Sequence, residues 1–256
     1  MDLFPSRDVP LPGEIAPAGA VADRPPRAAG RGRALFEVFL CSGLPTQVLV
    51  SAALVLGGIA SRDADDGLSL VHVAILSLVD SALVMGLVVF FLRAGGERPR
   101  DVLLGRRWWL VESLLGIGLV PIVFLLVAVA AVTISAVAPW LHQPHNPLAA
   151  LLNTRAGLIV FAVVGVVAGG LREELQRAFV LHRFEQRLGG AALGLVLFSL
   201  VFGAGHALQG WAVVVMTGLL GVFWGLTYLA RRSVVAPVVC HSLFNLLEIV
   251  GLGVLK

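Results

Sequence analysis

The chain of 256 residues is 58% hydrophobic and only 14% charged, with a formal net charge of +3 and a mean hydropathy of +0.92. That balance excludes an ordinary soluble domain. The apolar runs are rich in Gly and Ala and lack the alternation of a β-barrel, so the expected fold class is all-α, a polytopic membrane bundle.

Residues 1–34 carry Pro5, Pro10, Pro12, Pro17, Pro25 and Pro26 among scattered charges and read as a disordered tail without a cleavable leader. Residues 35–255 then form one membrane domain. A span needs about 20 helical residues to cross roughly 30 Å of hydrocarbon. Seven runs meet or approach that length, at 35–60, 68–92, 109–137, 156–179, 191–208, 211–230 and 234–255. GxxxG spacings at Gly165/Gly169, Gly190/Gly194 and Gly221/Gly225 are expected to let the fourth to sixth helices approach closely.

Arginines alternate between connections. Arg7, Arg24, Arg27, Arg31 and Arg33 precede the first span; Arg93, Arg98, Arg100, Arg106 and Arg107 follow the second. Arg172, Arg177, Arg183 and Arg187 surround the fourth-to-fifth connection and Arg231 with Arg232 the sixth-to-seventh, against only Arg62 and Arg155 on the opposite side. By the positive-inside rule the N-terminus is cytoplasmic and the C-terminus outside. The basic character thus reports topology, and no clustering with aromatics points to nucleic acid. The two cysteines, Cys41 and Cys240, have no ligand spacing and imply no disulfide framework.

Charge inside the apolar spans is where function is expected. The stretch GGLREELQRAF, residues 169–179, ends a run of twelve uncharged residues with two glutamates and two arginines. Arg177 lies four residues from Glu173 and three from Glu174, spacings at which they could neutralise each other on one helix face. One arginine does not offset both carboxylates. Further along, FGAGH sets Phe202 and His206 four apart, and HSLFN sets His241 and Asn245 four apart, so each pair shares a face. Convergence of these groups would supply a carboxylate, two imidazoles and an amide, enough to activate water and stabilise an oxyanion. Weaker readings attach to His72 and Asp80 in the second span, to Glu248 one heptad after His241 and more readily paired structurally, and to His142 and His145 in an outer loop.

The order EE with a following Arg, then FxxxH, then HxxxN, on successive apolar helices, resembles the CPBP intramembrane protease family, which includes type II CAAX prenyl proteases and bacterial Abi-type proteins. The resemblance covers about 156–255. It implies that Glu173 activates water, with Glu174 beside it, His206 as the second-motif histidine and His241 with Asn245 as the third-motif pair; Phe202 and Arg177 support them. The usual pattern is EExxxR, and EELQR brings Arg177 one position closer. The family is described both as metalloproteases and as metal-free glutamate-dependent hydrolases. A zinc version would assign His206, His241 and Glu173 to the ion, although no HExxH helix is present.

The reading is an intramembrane endopeptidase acting on a membrane-associated protein or peptide near the cytoplasmic side, with the lipid bilayer and no nucleic acid as partners, in a bacterial inner membrane. The alternatives are a proton-coupled transporter using Glu173, His206 and His241 as a relay, or a noncatalytic membrane scaffold. One tension stands: by these limits Glu173 lies near the inner face and His206 roughly 22 Å from it, which requires the fourth helix to continue past Phe179 and the fifth to tilt or to begin before Ala191. Reporter fusions after Arg100 and Arg187 are expected to read cytoplasmic, and fusions after Asp65 and Asn146 outside; the reverse pattern at both pairs overturns the orientation.

Overall fold

The computed structural model describes residues 30–63, 66–142 and 147–254. The proline-rich tail read at 1–34 falls almost wholly outside the described residues, as does His145. The described chain is helical: α1 Arg31–Leu40, α2 Leu44–Leu56, α3 Leu70–Ala94, α4 Pro99–Leu103, α5 Trp109–Val137, α6 Pro147–Leu151, α7 Arg155–Val164, a π segment Gly165–Arg172, α8 Glu173–Arg187, α9 Ala191–Ala204, α10 Trp211–Arg231 and α11 Val235–Val254. Five helical stretches, Arg31–Leu56, Leu70–Ala94, Trp109–Val137, Arg155–Arg187 and Trp211–Arg231, are long and apolar enough to cross a membrane; Ala191–Ala204 and Val235–Gly251 are shorter apolar helices. This is an integral membrane helical bundle, and the seven apolar runs each find a helix in it.

Two of those runs differ in form from simple spans. The first is broken between α1 and α2, where Gly43 takes a left-handed φ of 85°. Only glycine fits there for a second reason, since a Cβ would collide with the guanidinium of Arg172. The fourth run extends well beyond Phe179. α7, the π segment and α8 form one helical path, Arg155–Arg187, of 33 residues, about 50 Å long at 1.5 Å per residue. Glu173 therefore sits at mid-depth. The expected continuation of this helix is what the structure shows, whereas α9 begins at Ala191 and not before it.

Small residues set the closest approaches. On α10, a Cβ at Gly221 would press on Phe202 and Ser199, and one at Gly225 on Leu195, so both glycines admit α9 as anticipated. Gly194 instead accommodates Phe184 of α8, with Gly190 open. Gly165 and Gly169 face Asn245 of α11, which corrects the expectation that they serve the fourth to sixth helices among themselves. The absence of side chains at Gly165, Gly169 and Gly170 lets α11 lie against the π segment.

The arginine-bearing connections meet at one end of the bundle through ion pairs. Arg183 of α8 bonds Glu37 of α1 at 2.6 Å and also Glu97, Arg231 of α10 bonds Glu112 of α5 at 2.6 Å, and Arg232 bonds Glu185. Arg172 and Arg177 do not belong to this set. Both are buried at mid-helix, so only Arg183 and Arg187 mark the fourth-to-fifth connection. Glu97, between α3 and α4, is bonded by His182 and Arg183 and by Gln186 at 3.0 Å. Burial opposes its ionisation, yet these hydrogen bonds and charges outweigh it and bring the carboxyl from 4.5 to about 2.

A folded-state value below the unfolded one means that Glu97 contributes its full stabilisation above about pH 4.5 and loses it as pH falls toward about 2. Detergent-solubilised wild-type protein is expected to lose thermal stability more steeply over that interval than Glu97→Gln, which has no such proton to take up. Equal slopes for the two proteins would remove Glu97 from the acid response.

Candidate active site

The site begins with a fully buried arginine. Arg177 is 0% exposed and lies among three aromatic rings, its guanidinium carbon 4.8 Å from the Phe202 centroid, 5.1 Å from Phe198 and 5.6 Å from Trp224. The ring faces offset part of the cost of burying the cation. Its charge partner is Glu174, reached three residues back along the same helix. The sequence left open whether Arg177 meets Glu173 or Glu174; the carboxylate it binds is Glu174.

Glu174 in turn accepts from His241. The Nδ1 of His241 lies 2.8 Å from Glu174 Oε1, while Trp224 stacks on the imidazole at 3.6 Å between centroids and 16° between planes. The ring is thus fixed in position and rotation, with Nδ1–H donated to Glu174 and Nε2 turned toward Glu173. Nε2 stands 3.9 Å from Glu173 Oε2. That is too long for a direct hydrogen bond and leaves both groups within reach of one water molecule.

Glu173, His206, His241 and Asn245 line one cavity of about 800 Å³. The motif residues from the fourth, fifth and seventh apolar runs therefore converge. His206 lies just beyond the end of α9, its Nδ1 donating to the Phe202 carbonyl at 2.9 Å, so Nε2 remains for the cavity. Phe202 meets the His206 ring edge-on at 5.1 Å. Asn245 donates one amide hydrogen to the Gly165 carbonyl at 2.9 Å and keeps a second for other use. The π segment thus serves the site twice, by admitting α11 and by anchoring Asn245, in keeping with the frequent placement of π turns at functional sites.

The cavity also draws on helices without motifs. Asp80 of α3 and Gln47 of α2 line it together with Arg172. Arg172 bonds Asp80 at 2.8 Å, and Thr46 donates to the same carboxylate. Sequence reading gave Asp80 little weight and used Arg172 only for topology; its adjacency to Glu173 within an apolar run was the available signal. Trp224 was also missed, although an indole at the centre of a span invites a search for a stacking partner. His72 is occupied elsewhere, near Ser51 Oγ at 3.2 Å and the Ile59 carbonyl at 3.1 Å. Cys41 and Cys240 are free and buried.

Lining residues Leu148, Leu152, Gln209, Val213 and Gly251 carry the cavity from mid-depth toward the arginine-poor end of the bundle. The arginine-rich connections contribute none of the lining. A site near the arginine-rich, cytoplasmic side was expected; the location of Glu173 midway along a long helix accounts for the difference.

For a metal, at least three ligating side chains must gather. Among the described residues no group of three or more His, Cys, Asp or Glu side chains is arranged to hold an ion. Nδ1 of each histidine is engaged, by Glu174 and by Phe202, which leaves the two Nε2 atoms as the available imidazole donors. The donor set does not fit zinc as it stands.

The bundle gathers a carboxylate, two imidazoles and an amide on one cavity. Residues 154–247 match the family described as Type II CAAX prenyl endopeptidase Rce1-like, and this motif-bearing part of the chain belongs to that CAAX protease family. Neither the curated proteins nor the solved structures contain a match to the chain.

Removing one member of a buried pair strands the other charge, at a cost of about 3–5 kcal/mol. Arg177→Met is therefore expected to lower the thermal midpoint of the solubilised protein far more than Glu173→Gln, because Glu174 would remain buried without its cation. Comparable midpoints for the two variants would show that the Arg177–Glu174 pair does not carry the stability assigned to it.

Proposed function

We propose that the chain hydrolyses a peptide bond in a membrane-associated protein or peptide, with Glu173 as the general base that activates water. The observation that carries this reading is the placement of Glu173 beside the free Nε2 of an imidazole locked by Glu174 and Trp224. Glu173 takes a proton from water; the oxygen attacks the scissile carbonyl carbon, and the C=O electron pair moves onto oxygen. Held as an imidazolium, with Nδ1–H on Glu174, His241 presents Nε2–H, and together with the second Asn245 amide hydrogen it faces that developing charge. As the C–N bond breaks, the leaving nitrogen takes up the proton held by Glu173, with His206 Nε2 placed to orient the water or relay the proton. Preorganisation is the main contribution. The groups are held by partners that do not take part in bond making, so little rearrangement accompanies charge development.

The same residues could in principle pass protons, but Glu174 is engaged by Arg177 as well as by His241, which suits an orienting role better than a relay. No step is routed through zinc. We place the chain in a bacterial cytoplasmic membrane with its N-terminus inside, on the arginine asymmetry and a composition rich in Ala, Gly and Arg. The cavity then opens toward the outer half of the bilayer.

Glu173→Gln preserves size and removes the base, so cleavage of a membrane-peptide substrate is expected to collapse while folding is retained. Loss of His241 or His206 should be of similar severity, and Asn245→Ala should cost on the order of 100-fold or more. The Glu173 and His206 losses should be far from additive. Wild-type turnover by pure Glu173→Gln protein would eliminate this mechanism. Activity that resists exhaustive chelation is expected; activity lost to a chelator and restored by stoichiometric zinc would reassign His206, His241 and Glu173 to an ion.

A further inference from the structure

Glu248 is the carboxylate lining the cavity that neither the chemistry above nor an ion pair engages. It lies on α11 one turn beyond Asn245 and lines the same cavity. The carboxylates near it are otherwise committed: Asp80 binds Arg172, and Glu173 faces His241. Glu248 forms no hydrogen bond or ion pair with any described residue. The cavity it lines also carries apolar side chains, among them Leu247, Ile249, Leu148, Leu152 and Val213. Glu248 is exposed to the cavity; an uncompensated carboxylate on an apolar helix is costly to keep, and a cation brought to it beside apolar walls is attracted more strongly than in water.

We propose that Glu248 forms a subsite for a cationic substrate group, a lysine or arginine side chain in an otherwise apolar peptide. The position of the scissile bond in this proposal rests on the hydrolytic reading above. Seven helical residues separate His241 from Glu248, about 10.5 Å along α11. An extended peptide advances about 3.3 Å per residue, so the basic residue lies about three positions from the bond that is cut. The apolar wall takes its flanking side chains, and Glu248 selects the register.

The test uses the full chain in detergent micelles, first in the Glu173→Gln background so that binding is read without turnover. The probes are short acetylated, amidated peptides of Leu, Ala and Phe with one lysine walked through the positions, each compared with glutamine at the same place. At one register lysine is expected to bind about 10-fold more tightly than glutamine, the scale of one charge-assisted contact. Adding Glu248→Gln should bring that ratio to about one, and Glu248→Arg should turn the preference toward a glutamate-bearing peptide. The ratio is taken on one preparation, so the folded fraction cancels. With the active chain, the cut should fall about three residues from the preferred lysine. Glu248-dependent lysine binding without any cleavage would support the subsite while removing the protease reading. A lysine-to-glutamine ratio unchanged by Glu248→Gln, or no binding of any peptide in the series, would overturn the subsite.

Discussion

The buried chain from Arg177 through Glu174 to His241 is the constraint on which the rest of the site depends. A guanidinium at 0% exposure is tolerable only with a carboxylate and polarizable ring faces around it. Once Glu174 is committed to that arginine, its carboxylate is fixed, and a fixed carboxylate fixes the Nδ1 side of His241. The consequence appears at the other nitrogen. Nε2 can face only the region occupied by Glu173, and two neighbouring glutamates acquire different environments from a single helical step. Glu174 is 1% exposed and doubly bonded, while the Glu173 side chain is 17% exposed and open to the cavity.

Backbone geometry makes this division possible. The segment before Glu173 is wound as a π turn over Gly165–Arg172, and its glycines bring α11 close enough for Asn245 to reach a backbone carbonyl. Side chains at Gly169 or Gly170 would collide with Asn245 or Ser242. The motif glutamates and the motif histidine-asparagine pair are therefore coupled through main chain as well as through the ion pair. A displacement of α11 would disturb Asn245 and His241 together.

Much of this was legible in the sequence because ionisable groups in apolar helices are rare and costly. Glu173, Glu174, His206, His241 and Asn245 stood out by type, and their spacing placed each motif pair on one face. The helical class and the apolar runs followed from composition and length. Depth did not. Hydropathy placed the end of the fourth run near Phe179, but α8 continues to Arg187 because Arg183 finds Glu37 and Glu97, a long-range pairing that no local pattern contains. The same blindness put Arg172 at a helix end, whereas its partner Asp80 lies 92 residues earlier. Trp224 was invisible for a different reason: an aromatic in an apolar span reads as packing until the imidazole it stacks on is known.

The pairing of Arg172 with Asp80 gives the helices outside the family segment a defined part. α2 and α3 carry none of the three motifs, yet Thr46 and Gln47 converge on Asp80, which bonds the arginine that immediately precedes Glu173. Gly43 lies against the same guanidinium, so the break between α1 and α2 is shaped to it. With Arg172 tied to α3 and Arg177 tied through Glu174 to α11, Glu173 is held between two arginine anchors on either side of it in the helix. Neither anchor bonds Glu173 itself, and that distinction matters chemically: the backbone carrying the carboxylate is immobilised, while its oxygens are not consumed by a salt bridge and stay free to take a proton.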